Sequence, residues 1–367
     1  MMGQESGAFV HRFAAVATAL VCFLFLLMAE NVHSYSHSVE GSWKDIVVGK
    51  ENDGHYSEAQ YNNYVDQYLM VFGNNSWVAP NSTISFPYNV SNSCALMKDK
   101  GIDNIFFYGD SYMRHIYAAF ALTLSGNYLN GSISSGEYAM EHGAANCQYH
   151  AQFWENKCGI RTLDEEVEVC DGQLKLHHMH HGSYQINGCR ERQNHPGNAI
   201  NLFSVGNHKL GGGRHGIHDA PAHIELFQGF CGQLKKEKEE EKDVSNGCSN
   251  WWVSTHNRII GWFDDEKPEY VEKFNVEMRS FFDSGACGDY NYIDVWNMTK
   301  SLINTFDLNA HSEQNKANSM TVSYDYWHYG MQINLAKTQI MLNAFENGLP
   351  SMKKKDRLRK RNKGSRD

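Results

Sequence analysis

Apolar positions along the chain recur with two periods. Ile105-Phe106-Phe107-Tyr108 is an uninterrupted apolar run, the mark of a strand buried on both faces, and Ile116, Tyr117, Phe120, Ala121 and Leu124 follow at helical spacing. Gly126 is placed to end that helix. Leu174 to His178 alternates as a strand does, and Ala199 to Val205 is a second apolar run. Ile224, Phe227, Cys231 and Leu234 open a helix that continues into the charged run Lys235 to Asp243, a solvated helix end or loop. Trp251-Trp252-Val253 and Tyr292 to Val295 read as strands. Between them, after Pro268, the positions Tyr270, Val271, Phe274, Met278, Phe281 and Phe282 make a helix face. The last helix runs from Met331 to Asn347, with Ile333, Ala336, Ile340 and Ala344 inward and Gly348 and Pro350 to stop it. Strands alternating with helices predict an α/β fold, a three-layer, doubly wound, mainly parallel sheet over residues 96–350.

Residues 35–95 break this pattern. They are rich in Asn, Ser and Tyr, carry isolated aromatics such as Trp43 and Trp77, and read as a stem with an irregular, disulfide-containing N-terminal subdomain. Upstream, Phe13 to Ala29 is free of charge, with Arg12 before it and Glu30 after it. As a signal anchor over 13–30 it would leave residues 1–12 as a short cytoplasmic tail and the rest in the lumen of the secretory pathway, as a single-pass type II Golgi membrane protein. As a cleavable signal peptide it would have Val32 and Ser34 at suitable spacing before Tyr35, and the chain would be secreted. The basic stretch in 351–367, Lys353 to Lys355 with Arg357, Arg359 and Arg361, reads as a disordered tail.

Composition sharpens the compartment. Apart from Cys22 there are eight cysteines, Cys94, Cys147, Cys158, Cys170, Cys189, Cys231, Cys248 and Cys287, enough for four disulfides whose connectivity the spacing leaves open. No CxxC pair occurs, which argues against a zinc ribbon. Sequons at Asn74, Asn81, Asn89, Asn130 and Asn297 mark candidate glycosylated loops. The net charge of -9, with both signs mixed along most of the chain, leaves no broad basic surface for nucleic acid.

Two short motifs carry the chemistry. Gly109-Asp110-Ser111 ends the first strand and passes straight into a helix, which puts Ser111 at the carboxyl edge of the sheet. There, helix N-H groups and the positive end of the dipole could stabilise an oxyanion. The competing reading is that Asp110 or Ser111 is only a helix cap. A serine nucleophile needs a base and the base an orienting group, and Asp325 and His328 stand three apart just before the final helix.

Taken together these blocks resemble the SGNH/GDSL hydrolase superfamily. Ile105 to Tyr117 is similar to the opening block of its PC-esterase branch, in which Gly-Asp-Ser is followed three residues on by Arg, here Arg114. Asp294-Val295-Trp296-Asn297-Met298-Thr299, then Asp325-Tyr326-Trp327-His328-Tyr329, resemble the closing blocks. The resemblance covers residues 95–345 and implies an SGNH-hydrolase-like fold with a Ser111, His328, Asp325 triad. The branch includes trichome-birefringence-like and sialate O-acetyltransferases, which implies an O-acyltransferase working on glycan hydroxyls, or an esterase with the same triad. It further implies an acyl donor as co-substrate, acetyl-CoA or another acetyl ester, with no permanently bound cofactor. A donor-supplying membrane protein and a glycan acceptor would be its partners. The superfamily completes its oxyanion hole with a Gly and an Asn from central blocks. Phe203 to His208 is the matching stretch, with Gly206 and Asn207 as support beside Asp110 and Arg114, although here Asn207 follows Gly206 directly and His208 stands where the Asn is expected. For the Gly block, Gly126, Gly136 and Gly143 are candidates. A silent glycan-binding protein on the same fold is the reading from outside enzymes.

Histidines 177, 178, 180 and 181, with His208, His215, His218 and His223 downstream, raise the question of a metal. No HExxH is present, and strand alternation would send His177 and His178 to opposite faces. They are expected to be polar loop or groove residues, and no metal is assigned.

Overall fold

The computed structural model describes residues 36–38, 42–43, 77–78, 88–154, 158–159, 161–180, 198–204, 224–225, 228–229, 231–232, 248–256, 268–286, 290–305 and 328–349. In chain order these give β1 (Ser36–Ser38), β2 (Ser42–Trp43), β3 (Trp77–Val78), α1 (Val90–Lys100), β4 (Asn104–Gly109), α2 (Ser111–Ser125) and α3 (Glu137–Glu141). Then follow β5 (Glu166–Val169), β6 (Leu174–His180), β7 (Ala199–Phe203), β8 (Cys248–Val253), α4 (Pro268–Asp283), β9 (Tyr290–Asp294), α5 (Trp296–Thr305) and α6 (Met331–Gly348).

Among the described residues seven strands form one sheet in the order β1-β9-β8-β7-β4-β6-β5, parallel except for the antiparallel β5–β6 hairpin at one edge. β4 pairs with β6 on one side and β7 on the other, so the chain reverses its direction of travel across the sheet at β4. In such sheets the crevice beyond the carboxyl ends of the strands opens at this point. The motif strand therefore stands where the topology places a ligand.

Strand alternation splits the core into two layers. Ile105 and Phe107 of β4 face α2, α6 and α1 in a cluster with Ile116, Phe120, Ile340 and Phe345. Phe106 and Tyr108 face the opposite side, with Phe203, Trp252 and the α4 residues Phe274, Met278 and Phe282. Each such side chain, taken fully out of water, contributes about 1.5–3 kcal/mol. The two clusters are the three-layer α/β arrangement that the alternation of strands and helices predicts.

α1 begins inside the stretch read as irregular. Asn89 caps it by accepting from Asn92 N-H, Gly101 closes it in the left-handed conformation, and its apolar face is sparse, which hides it from a periodicity search. β1 likewise joins the main sheet beside β9, with three residues too few to show a period.

Among the described residues two disulfides have both partners placed. Cys94 on α1 is bonded to Cys170 at the β5–β6 turn, and Cys147 to Cys158 between α3 and β5. Cys231 is also disulfide-bonded. Cys189 and Cys287, and the side chain of Cys248, lie outside the described residues. The first bridge spans 76 residues and the second 11. Because the entropy removed from the unfolded chain grows with the logarithm of the loop, replacing Cys94 and Cys170 by Ala is expected to cost about 2–5 kcal/mol. The cost should exceed that of the Cys147/Cys158 pair by roughly 1.5–2 kcal/mol. Urea midpoints of the two double variants check both the size and the order.

Candidate active site

The site starts from one glycine. Gly109 ends β4 with φ +157°, and a Cβ there would come within 2.8 Å of the Ser204 carbonyl oxygen and 2.5 Å of Met113 Cγ. The backbone of β4 can approach β7 this closely only without a side chain. That approach sets the sharp turn from strand into α2.

Asp110 is the N-cap of α2. Its backbone is extended and its Oδ1 accepts from Tyr112 N-H at 3.0 Å, while Asp110 C=O accepts the first helical bond from Arg114 N-H. Ser111 is thereby the first helical residue, not the cap, and its hydroxyl is released from backbone duty. It lies 2.8 Å from His328 Nε2, although 217 positions separate the two in sequence. With Nε2 unprotonated, the serine hydroxyl donates to it, the contact a general base makes with its nucleophile. Both residues are half-buried. The positive end of the α2 dipole lies beside Ser111 Oγ.

Asp325, Gly206 and Asn207, together with His208, His215, His218 and His223, lie outside the described residues. Arg114 is buried on α2, one turn after Ser111. Gly126 caps the far end of α2 in the left-handed conformation, about 22 Å from Ser111 at 1.5 Å per residue, which removes it from the oxyanion candidates. Gly136 and Gly143 flank α3.

Three residues that the motifs did not name join the pair. His115, one turn along α2 from Ser111, is buried with its ring 4.9 Å from that of His328 and 5.7 Å from Phe153. Tyr112, next to Ser111, is buried and donates its hydroxyl to the Ser254 carbonyl at 2.8 Å, tying the start of α2 to the end of β8. Burial pushes the Tyr112 phenol well above its ordinary range. Ser254 in turn accepts through Oγ from Val295 and Trp296 N-H, both at 2.8 Å, pinning the β9–α5 junction. The third is Lys337 on α6, which is wholly buried, with its amine 4.8 Å from the ring centroids of Tyr112 and Tyr329. An aromatic and a histidine inside an apolar helical run, and a lysine between Ile333 and Ile340 on an inward stripe, were the signals available for these three.

The histidines of β6 depart from the polar-loop expectation. His177 and His178 do face opposite sides of the sheet, but both are core residues. His177 stacks on Phe106 at 4.4 Å, with Nε2 3.0 Å from Asn104 Oδ1 and Nδ1 3.2 Å from Glu166 Oε2. His178 packs against the Tyr117 ring at 5.6 Å. Polar partners on the neighbouring strands make burial of the first tolerable. Among the described residues no group of three or more His, Cys, Asp or Glu is placed to hold a metal ion.

The three sequons described differ in context. Asn89 and Asn130 are exposed, whereas the Asn297 side-chain amide donates to Asp294 Oδ2 at 2.7 Å, with Thr299 buried behind it. Asn74 and Asn81 lie outside the described residues, as does the N-terminal apolar segment. Among the described residues no helix is long and apolar enough to cross a membrane.

No known family model matches the chain, and no curated protein does. Among solved structures it is similar to a protein of Parabacteroides merdae described as a GDSL-like lipase, at 17% identity over 68% of this chain and 97% of that one, with a TM-score of 0.31. A superposition this loose assigns neither family nor activity, and the chemistry rests on the Ser111–His328 pair itself.

Proposed function

We propose that the protein is an O-acyltransferase of the secretory pathway, an O-acetyltransferase acting on glycan hydroxyls. The observation that carries the acyl-transfer chemistry is the 2.8 Å contact between Ser111 Oγ and His328 Nε2 at the carboxyl edge of the sheet. Ser111 Oγ attacks the acyl carbonyl of the donor while His328 Nε2 takes the hydroxyl proton, and Asp325 orients the imidazole. The proton then passes to the leaving group, whose bond to the acyl carbon breaks. An acceptor hydroxyl attacks the resulting ester, giving its proton to His328, and Ser111 Oγ leaves and is reprotonated. No permanently bound cofactor enters this cycle; the acyl donor, acetyl-CoA or another acetyl ester, is a substrate. The resemblance of the Gly109 to Arg114 and Asp325 to Tyr329 blocks to the PC-esterase branch supports the choice of acetyl group and glycan acceptor. Two disulfides and the exposed sequons Asn89 and Asn130 support a lumenal setting, with residues 13–30 as the membrane anchor of a Golgi protein.

A second reading, an esterase that deacetylates a glycan or lipid, is favoured by the partial exposure of both Ser111 and His328, which lets water reach the acyl-enzyme. Incubating the purified protein with acetyl-CoA or a simple acetyl ester and a panel of glycans, with transfer and hydrolysis followed separately, decides between them. Acetyl groups appearing on a glycan while release to water stays slow are the expected result. Hydrolysis indifferent to every glycan would assign the esterase, and absence of both reactions would reject acyl transfer.

A further inference from the structure

Lys337 sits on the inward stripe of α6 with Ile333 and Ile340 one turn to either side, and none of its surface is exposed. Its Nζ lies 3.0 Å from His256 Nδ1 just beyond the end of β8 and donates to Asn334 Oδ1 at 3.2 Å. It also stands 4.8 Å from the ring centroids of both Tyr112 and Tyr329, near enough for each π face to attract the amine. The His256 ring meets the same two tyrosines edge-on, at 4.5 and 4.9 Å. Asn334 continues the chain, donating through Nδ2 to the Tyr329 and Gly330 carbonyls at 2.8 and 3.0 Å.

Tyr112 is the residue after Ser111, and Tyr329 is the residue after His328. We propose that Lys337 is a positioning residue for acyl transfer, clamping Tyr112, the end of β8 and the Tyr329–Gly330 backbone around one buried amine so that Ser111 Oγ and His328 Nε2 stay in contact. The inference rests on the acyl-transfer reading of that pair. Among the described residues none of the amine's partners is a carboxylate, so its burial is a cost to folding that an apolar side chain of the same length would avoid. Desolvation accordingly holds the amine well below the ordinary lysine range. A group that burdens the core while bridging the segments that carry nucleophile and base is better explained by the site than by stability.

Lys337→Met keeps length and volume and removes the amine. The variant is expected to melt at or above the wild-type temperature. Its kcat on an acetyl ester, and the rate at which Ser111 is labelled by a serine-directed phosphonate, should both fall by about 10- to 100-fold with KM unchanged, the effect of a small misplacement of reacting groups. Lys337→Gln, which keeps a polar head, serves if the Met variant does not fold. Wild-type kcat and labelling in a folded variant would overturn the proposal, and so would loss of activity that only follows a lowered melting temperature. Failure of both variants to fold would likewise assign Lys337 to the core. The outcomes separate cleanly from the parent reading: absence of Ser111 labelling in the wild type removes acyl transfer and this inference with it, whereas equal labelling of wild type and Lys337→Met removes the inference alone.

Discussion

Ser111→Ala should abolish covalent labelling by a serine-directed phosphonate and lower turnover by about four to six orders of magnitude, while leaving the fold intact. The size follows from the proposed chemistry: without Oγ the proposed acyl-enzyme could not form, and only binding and any oxyanion stabilisation would remain. The structural neutrality follows from the cap. Because Asp110, not Ser111, accepts from Tyr112 N-H, the substitution removes no helix-capping bond. What is lost structurally is one half-buried contact to His328, worth about 0.5–1.5 kcal/mol. Alanine is also a better helix former than serine, which offsets part of that. Turnover on an acetyl ester and a urea unfolding curve of the same preparation check both halves. A destabilised Ser111→Ala protein that kept its activity would mean that the hydroxyl is structural and that the acyl-transfer reading is wrong.

The same junction shows why this part of the molecule was legible in the sequence. A run buried on both faces, a glycine that no other residue replaces at the β7 approach, a capping aspartate and a helical stripe ending at Gly126 are all local, and each has a residue type that enforces it. α1 and β1 were not legible for the converse reason. α1 is held by Asn89, Gly101 and the Cys94–Cys170 bridge more than by a broad apolar stripe, and β1 is three residues long. His177 misleads because its burial depends on Asn104 and Glu166, partners on two different strands. The clamp around Lys337 is further from reach. Its partners come from α2, the end of β8, the approach to α6 and α6 itself, and only the packed sheet brings Tyr112, His256 and Tyr329 to one point. The sequence could mark Lys337 as out of place on an apolar stripe, but not say what it holds.

His328→Ala tests whether the serine works alone. Without a base the hydroxyl is a poor nucleophile at neutral pH, so the variant should be nearly as inactive as Ser111→Ala and its phosphonate labelling correspondingly slow. The double variant is the decisive comparison. If Ser111 and His328 act as one unit through their 2.8 Å contact, combining the two substitutions should cost scarcely more than either alone. Independent contributions would instead multiply, and the residual rate would fall below what Ser111→Ala leaves. If Asp325 only orients the ring, as proposed, Asp325→Asn should do less harm than either, because nucleophile and base remain. Single-turnover rates of ester cleavage for the four variants, measured on one ester under one set of conditions, give the comparison directly. Multiplicative losses at Ser111 and His328 would dissolve the pair, and with it the reason to read this sheet edge as an acyl-transfer site.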